Sequence, residues 1–357
     1  MKNVRFNFQF RSIKFLIFIV IFGTLIFSIT AVMPSCNNTA NNNISNTNKF
    51  NMADDSIIHN SNAESEPSVS VFRVKENKKE DIELEEYVRG VVATEMPIEY
   101  NVEALKAQAV ASRTYAVAHM ECFGGVKSSK AKGANVTDNT DCQVYNDKED
   151  ILKMWTAKES NENWSKLNKA VSETQGEILT YNNDLVLEPL FFSISTGKTD
   201  SCKDIFNSEV PYLQSIISEG EASEPNYKKI KKVSVKGFVD TINDAYPKAK
   251  LTYKSASNVS INGDKTSGGT VKQVKIGNCY ISGVEFRSLF SLRSADFSIN
   301  FPDKNNVNIT TVGYGHNVGM SQWGSNVMAK SNKNYIEILT HYYKGVKIKK
   351  LSDLKKY

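Results

Sequence analysis

The stretch Leu84-Glu85-Glu86-Tyr87-Val88-Arg89-Gly90-Val91-Val92-Ala93-Thr94-Glu95-Met96-Pro97 decides how the chain is read. Apolar Leu84, Tyr87, Val88, Val91 and Val92 recur at the i, i+3, i+4, i+7, i+8 spacing of an amphipathic helix, and one more turn of the stripe lands on Glu95. Pro97 disfavours helical geometry at Met96, so the helix is predicted to stop there with Glu95 in its last turn. Burial penalises a charged carboxylate and so does the negative end of a helix dipole; both keep the proton on, as a general acid requires. A lone Glu near a helix end is more often a solvated charge, and the rest of the chain must supply the support for an acid.

The chain has 357 residues and a net charge of +5. That length buries a substantial core, and the mild, scattered positive charge suits an anionic polymer or a membrane surface without marking a nucleic-acid site. Residues 1–14 are basic and free of acids; residues 15–33 form an apolar run of bilayer-spanning length. The basic flank orients the run with the N-terminus in the cytoplasm and the remainder exported, and the Pro34-Ser35-Cys36 that follows gives no convincing cleavage site, so a retained anchor is expected rather than a cleaved signal peptide. Residues 34–67, rich in Asn, Ser and Thr, are expected to be a disordered tether with a coil span of about 30 Å. Cys36, Cys122, Cys142, Cys202 and Cys279 follow no regular framework, and an odd number cannot pair completely within one chain.

The exported part, residues 68–350, reads as one catalytic domain of mixed helices and short strands, an α+β fold with two lobes bounding a substrate groove. Alternation predicts a strand over 68–74. Asn101 is an N-cap for a second helix that carries Lys106, Gln108, Arg113 and Tyr115. A polar loop over 123–141 ends at Cys142-Gln143-Val144-Tyr145. A single helix is expected over 151–171. A hairpin follows about Asn182-Asn183, with its second strand running on through Phe191 to Thr199 and the small, hydroxylated Ser195-Thr196-Gly197. A helix over 235–245, strands at 271–276, 278–282 and 307–312, and a final helix over 335–343 complete the pattern. Between the last two lies Gly313-Tyr314-Gly315-His316-Asn317-Val318-Gly319-Met320-Ser321-Gln322-Trp323-Gly324, whose glycines suggest close backbone approach around a presented His and Gln.

These separated motifs, together with residues 103–116, occur in an order that resembles the stage II sporulation protein D family of endospore-forming bacteria over residues 71–348. The resemblance implies a membrane-anchored lytic transglycosylase of peptidoglycan, acting in the septal space during engulfment of the forespore. Its substrate would be glycan strands stripped of their stem peptides by a partner amidase, stage II sporulation protein P, with protein M a further partner. It puts the catalytic acid on Glu95 and substrate-binding positions on Lys106, Arg113, Tyr115 and His316. Gln108 and Gln322 are added here as positioning groups, and Gln143, Tyr145 and Ser195 as further candidates for the cleft wall, each with a packing reading beside it. Members of the family can carry zinc on one His and two Cys. In this chain Lys130 and Val136 stand at two of those positions and only Cys142 is retained, so no metal or other cofactor is expected, with His119 and Cys122 the nearest substitutes.

One acid suffices for transglycosylation, because it protonates the leaving oxygen and then deprotonates the sugar's own C6 hydroxyl; hydrolysis uses two carboxylates. Two other classes fit parts of the pattern. Cys142 and His316 would make a thiol-imidazole pair for cutting stem peptides, though Cys142 follows a loop rather than opening a helix. A non-catalytic glycan-binding scaffold is the third.

Overall fold

The computed structural model describes residues 66–354. The basic tail, the expected anchor over 15–33, Cys36 and all but the end of the tether lie outside them. Among the described residues no helix is long and apolar enough to cross a membrane.

Strand β1 (Ser68–Arg73) pairs antiparallel with β2 (Lys78–Glu83), which runs straight into α1 (Leu84–Glu95). The predicted stripe is the buried face of α1: Leu84, Tyr87, Val88, Val91 and Val92 are at most 1 % exposed. The helix ends where Pro97 requires, with Met96 extended. Asn101 caps α2 (Val102–Ala118) by accepting the Glu103 amide at 3.0 Å. β3 (Val136–Thr137) joins β1 in parallel, stitching the polar loop to the first sheet.

The single helix expected over 151–171 is two, α3 (Lys148–Met154) and α4 (Ser160–Ser172). Trp155 is extended, and the Glu159 and Ser160 amides both donate to the Thr156 carbonyl, so a turn interrupts the axis. β4 (Glu177–Tyr181) and β5 (Asp184–Leu185) form the hairpin, with Asn182 and Asn183 both at positive φ. The second hairpin strand does not continue as expected. Pro189 intervenes, and β6 (Phe191–Phe192) belongs to a different ladder, parallel with Met320–Ser321. That pairing brings the Gly-Met-Ser-Gln stretch beside Phe191.

α5 (Cys202–Phe206) follows, then a second core built from β7 (Lys228–Ser234), α6 (Val235–Ala245), β8 (Ser260–Lys265), β9 (Val271–Ile276), β10 (Cys279–Ser282), α7 (Gly283–Leu289), β11 (Phe297–Asn300) and β12 (Asn306–Val312). Its two antiparallel sheets, in the orders β10-β9-β8 and β11-β12-β7, enclose Phe238, Phe286, Phe290 and Phe297. β7 is an edge strand whose lysines face solvent, which hides it in the sequence and guards the edge against further pairing. The chain returns to the first core through β13 (Met320–Ser321), α8 (Gln322–Lys330), α9 (Tyr335–Tyr342) and β14 (Val346–Lys350), the last pairing antiparallel with β4. The fold is mixed α+β with two hydrophobic cores. The groove is not a valley between them: it is cut into the first, and the second lends only the segment leaving β12.

Candidate active site

A cavity of about 650 Å³ is lined by Glu95, Tyr115, the 140–143 turn, residues 189–193, Phe206, Tyr314 to His316 and Gln322. This volume lies within the range of small-ligand sites. Its floor is mainly apolar and aromatic, and the polar groups that reach it are few.

Glu95 closes α1 at the cavity wall. Its Oε1 accepts the Val144 amide at 2.7 Å. Burial raises its pKa above the ordinary 4.5, and the Val144 hydrogen bond opposes that shift without cancelling it. With Oε1 fixed, Oε2 is the oxygen left to act in the cavity.

Gln143 is 1 % exposed; its Oε1 accepts from the Tyr87 hydroxyl at 3.3 Å, while its buried Nε2 has no partner. An orphaned amide donor at a cavity wall costs about 1–3 kcal/mol unless a ligand engages it. Gln322, also in the lining, donates through Nε2 to Gln108 Oε1 at 3.3 Å, and Gln108 Nε2 in turn donates to Ser112 at 3.0 Å. Gln108 therefore stands behind Gln322 and orients it from outside the cavity lining.

His316 sits between Phe192 and Phe206, with ring centroids at 5.5 and 5.7 Å. Its Nδ1 accepts the Val318 amide at 3.2 Å. Burial and the Arg287 charge push its pKa down to about 4, so the imidazole is neutral near pH 7. Gly315, at φ 120°, allows this placement because a Cβ there would stand 2.6 Å from Phe192 Cβ. Asn317 is anchored beside it by donating to the buried Asp200 at 3.0 Å. Cys142 and His316 both line the cavity, and the imidazole Nδ1 is occupied by the Val318 amide.

Several expected site residues have other work. Arg113 is fully buried and donates to both oxygens of Glu85, at 2.7 and 2.6 Å. Lys106 is held by Glu103 at 2.7 Å and Glu173 at 2.6 Å, away from the cavity lining. Tyr145 stacks on Tyr87 at 5.4 Å and donates to Asp147 at 3.1 Å. Ser195 is buried, donating through Oγ to Asn317 at 3.1 Å and through its amide to Glu221 at 3.1 Å. These four support the fold around the cavity. Their polar chemistry looked like site chemistry because the sequence does not reveal the carboxylates and amides that occupy them.

Asp141 was missed. It lines the same cavity as Glu95, and Lys130, at 2.7 Å, holds its pKa below the ordinary 3.8. Glu95 is therefore not the only carboxyl in the cavity lining. One carboxyl is pushed up and one held down in a single cavity, the pattern that divides acid and charge-stabilising roles. Tyr314, 46 % exposed, and Phe206, 48 % exposed, add aromatic surface at the rim.

An α+β protein with an acid at the end of a helix, facing an aromatic cleft, is the class that fold and site define. Residues 73–181 match the family model described as "Stage II sporulation protein". Stage II sporulation protein D of Bacillus amyloliquefaciens is 39 % identical over 297 residues, 82 % of each chain. That of Bacillus subtilis is 39 % identical over 79 % of this chain and 78 % of its own. The amidase enhancer of Bacillus subtilis is 26 % identical, over 72 % of this chain and 39 % of its own length. The chain belongs to the stage II sporulation protein D family.

The zinc site of some family members finds no donor set here. Lys130 is a cation engaged with Asp141, Val136 is buried in β3, and Cys142 alone offers a ligand atom. His119 Nδ1 is hydrogen-bonded with the Tyr115 carbonyl at 2.8 Å, and Cys122 is exposed on the surface. Among the described residues no group of three His, Cys, Asp or Glu is placed to hold a metal ion, and the four cysteines are unpaired.

Proposed function

We propose that this sporulation protein cleaves the glycan strands of peptidoglycan as a lytic transglycosylase, with Glu95 as its acid. The observation that carries the reading is the Glu95 carboxyl itself: buried enough to hold its proton, tethered through one oxygen, and lining an aromatic cleft of sugar-binding size. Protonated Glu95 gives its proton to the oxygen between N-acetylmuramic acid and N-acetylglucosamine. The resulting carboxylate takes the proton from the muramic acid C6 hydroxyl as that oxygen closes onto C1, leaving a 1,6-anhydro end. Ionised Asp141 favours the oxocarbenium-like transition state, the Gln143 and Gln322 amides orient the sugars, and neutral His316 with its flanking Phe rings supports the far wall.

Family membership supports the setting: an exported domain held to the membrane by residues 15–33, working in the septal space on glycan already stripped of stem peptides, with stage II sporulation proteins P and M as partners. The likeness to a protein named amidase enhancer favours work alongside an amidase.

Asp141 favours one second reading, hydrolysis, in which it activates a water opposite Glu95. Mass spectrometry of stripped glycan strands after digestion separates the two. Anhydro ends are expected; reducing ends with one incorporated water would make the protein a hydrolase.

A further inference from the structure

Glu221 opens the turn Glu221–Ser223 and is 1 % exposed. Neutral groups hold its carboxyl: Oε2 accepts the Ser195 amide at 3.1 Å, and Oε1 accepts the Ser218 hydroxyl at 2.6 Å, which is itself 2.6 Å from the Tyr342 hydroxyl of α9. This cluster is pressed against the first turn of α8. A Cβ at Gly324 would stand 2.6 Å from Glu221 Oε1, 2.5 Å from Ser218 Oγ and closer still to Tyr342 Oη, so only glycine admits the carboxyl there.

Both segments that Glu221 touches continue into the cavity wall. Ser193 lines the cavity, and Ile194, between it and Ser195, exchanges two backbone hydrogen bonds with Tyr314, at 3.0 and 2.7 Å, where the 314–316 lining begins. Gln322, two residues before Gly324, also lines the cavity, and the Trp323 amide between them donates to the Ser193 carbonyl at 3.0 Å. The Trp323 indole donates to the carbonyl of Gly220, next to Glu221, at 3.2 Å. One buried carboxyl thus stands behind Ser193, Tyr314 and Gln322 together.

We propose that Glu221 is a positioning residue for the glycan: through Ser195 and the first turn of α8 it holds Ser193, Tyr314 and Gln322 in place, and it does so with its proton on. The proposal rests on the glycan reading above. A protonated carboxyl accepts the Ser195 amide on one oxygen and donates from the other into the Ser218–Tyr342 pair, where either hydroxyl can be the donor. An ionised one is a buried charge without a cation against it, a cost that the wall relieves by shifting and admitting water. The groups around it offer no relief. Glu224 of the same turn is an acid, Tyr100 and Tyr227 are phenols, Lys330 of α8 lies over the Trp323 ring, and His341 of α9 engages the Ile217 carbonyl at 2.9 Å. Burial raises the Glu221 pKa to about 7, so the change of state falls near neutrality.

The test is calorimetric binding of stripped glycan oligosaccharides to the full chain carrying Glu95→Gln, in which neither turnover nor the Glu95 proton intervenes. Between about pH 5.5 and about pH 8.5 His316 stays neutral and Asp141 stays ionised, so neither titrates with Glu221. Affinity is expected to fall at least about fivefold over that interval, as the competent protonated fraction falls. Glu221→Gln, added to this chain, cannot ionise, and its amide donates to Ser218 in place of the proton; it is expected to keep the tight binding at both pH values, and Glu221→Ala to bind weakly at both. Without glycan, the emission of Trp323, measured in a chain carrying Trp155→Phe and Trp164→Phe, is expected to shift over the same interval and to stop shifting once Glu221→Gln is added. Equal affinity of the Glu95→Gln chain at the two pH values overturns the proposal whether or not the Glu221 variants fold, and so does a loss that survives Glu221→Gln. Glycan binding at neither pH, with the Trp323 shift present, removes the glycan reading and leaves the wall's dependence on Glu221 standing; with the shift absent, both fall.

Discussion

The Val144 amide donates to Glu95 Oε1 at 2.7 Å, across 49 residues of sequence, and so ties the end of α1 to the Cys142-Gln143-Val144-Tyr145 motif. The hydrogen bond stabilises the charged carboxylate while burial opposes it, and burial is the larger effect. A carboxyl whose folded-state pKa is raised favours folding below its unfolded value and loses that contribution as pH rises through the folded value. Glu95→Gln is therefore expected to match the wild type in stability near pH 4 and to exceed it at pH 8. Thermal unfolding at the two pH values reads this difference; an equal or lower midpoint for the variant at pH 8 contradicts it.

Glu221 presents a larger case of the same kind. It is 1 % exposed, and burial pushes its pKa up to about 7 despite hydrogen bonds from Ser218 and the Ser195 amide. Stability is expected to fall by about 3 kcal/mol as pH rises from about 4.5 through about 7. Denaturant unfolding across that range, with Glu221→Gln flattening the slope, checks it.

Arg113 separates a structural from a substrate-binding role. Its guanidinium is fully buried against Glu85, so Arg113→Met strands an unpaired buried carboxylate and is expected to cost about 3–5 kcal/mol. Removing both partners together, Arg113→Met with Glu85→Leu, is expected to recover most of that loss. A substrate-binding residue would instead leave the unfolding midpoint unchanged and weaken glycan binding.

Gly90 lies inside α1, where alanine is ordinarily favoured by about 1 kcal/mol. Here a Cβ would stand 2.2 Å from the Tyr145 ring and 2.6 Å from the Asn146 carbonyl oxygen. The backbone oxygen cannot swing aside, and overpacking of about 1–3 kcal/mol outweighs the propensity gain. Gly90→Ala is expected to lower the unfolding midpoint and to loosen the motif that holds Glu95.

Local signals made much of this legible. The α1 stripe, Pro97, the Asn101 cap and the Asn182-Asn183 turn each act within a few residues, and the helix ends and hairpin follow them. Motif order gave the family, which the 39 % identity to stage II sporulation protein D shows. What the sequence concealed depends on partners far along the chain. Arg113 and Lys106 present a cationic face until Glu85, Glu103 and Glu173 are seen beside them. Asp141 gives no local sign that it shares a cavity with Glu95, and the parallel pairing of Phe191 with Met320 bridges 129 positions. In the second core the helix over 235–245 and the strands about 271–276, 278–282 and 307–312 stand where the sequence predicts them, whereas the lysine-rich β7 carries no apolar alternation of its own and is found only by its pairing with β12.

The most direct test of Glu95 is the digestion of stripped glycan strands by the full chain and by its Glu95→Gln variant, followed by mass spectrometry of the ends. The wild type is expected to yield 1,6-anhydromuramic ends and the folded variant none above background. Anhydro ends at wild-type rates from Glu95→Gln would contradict its assignment as the proton donor.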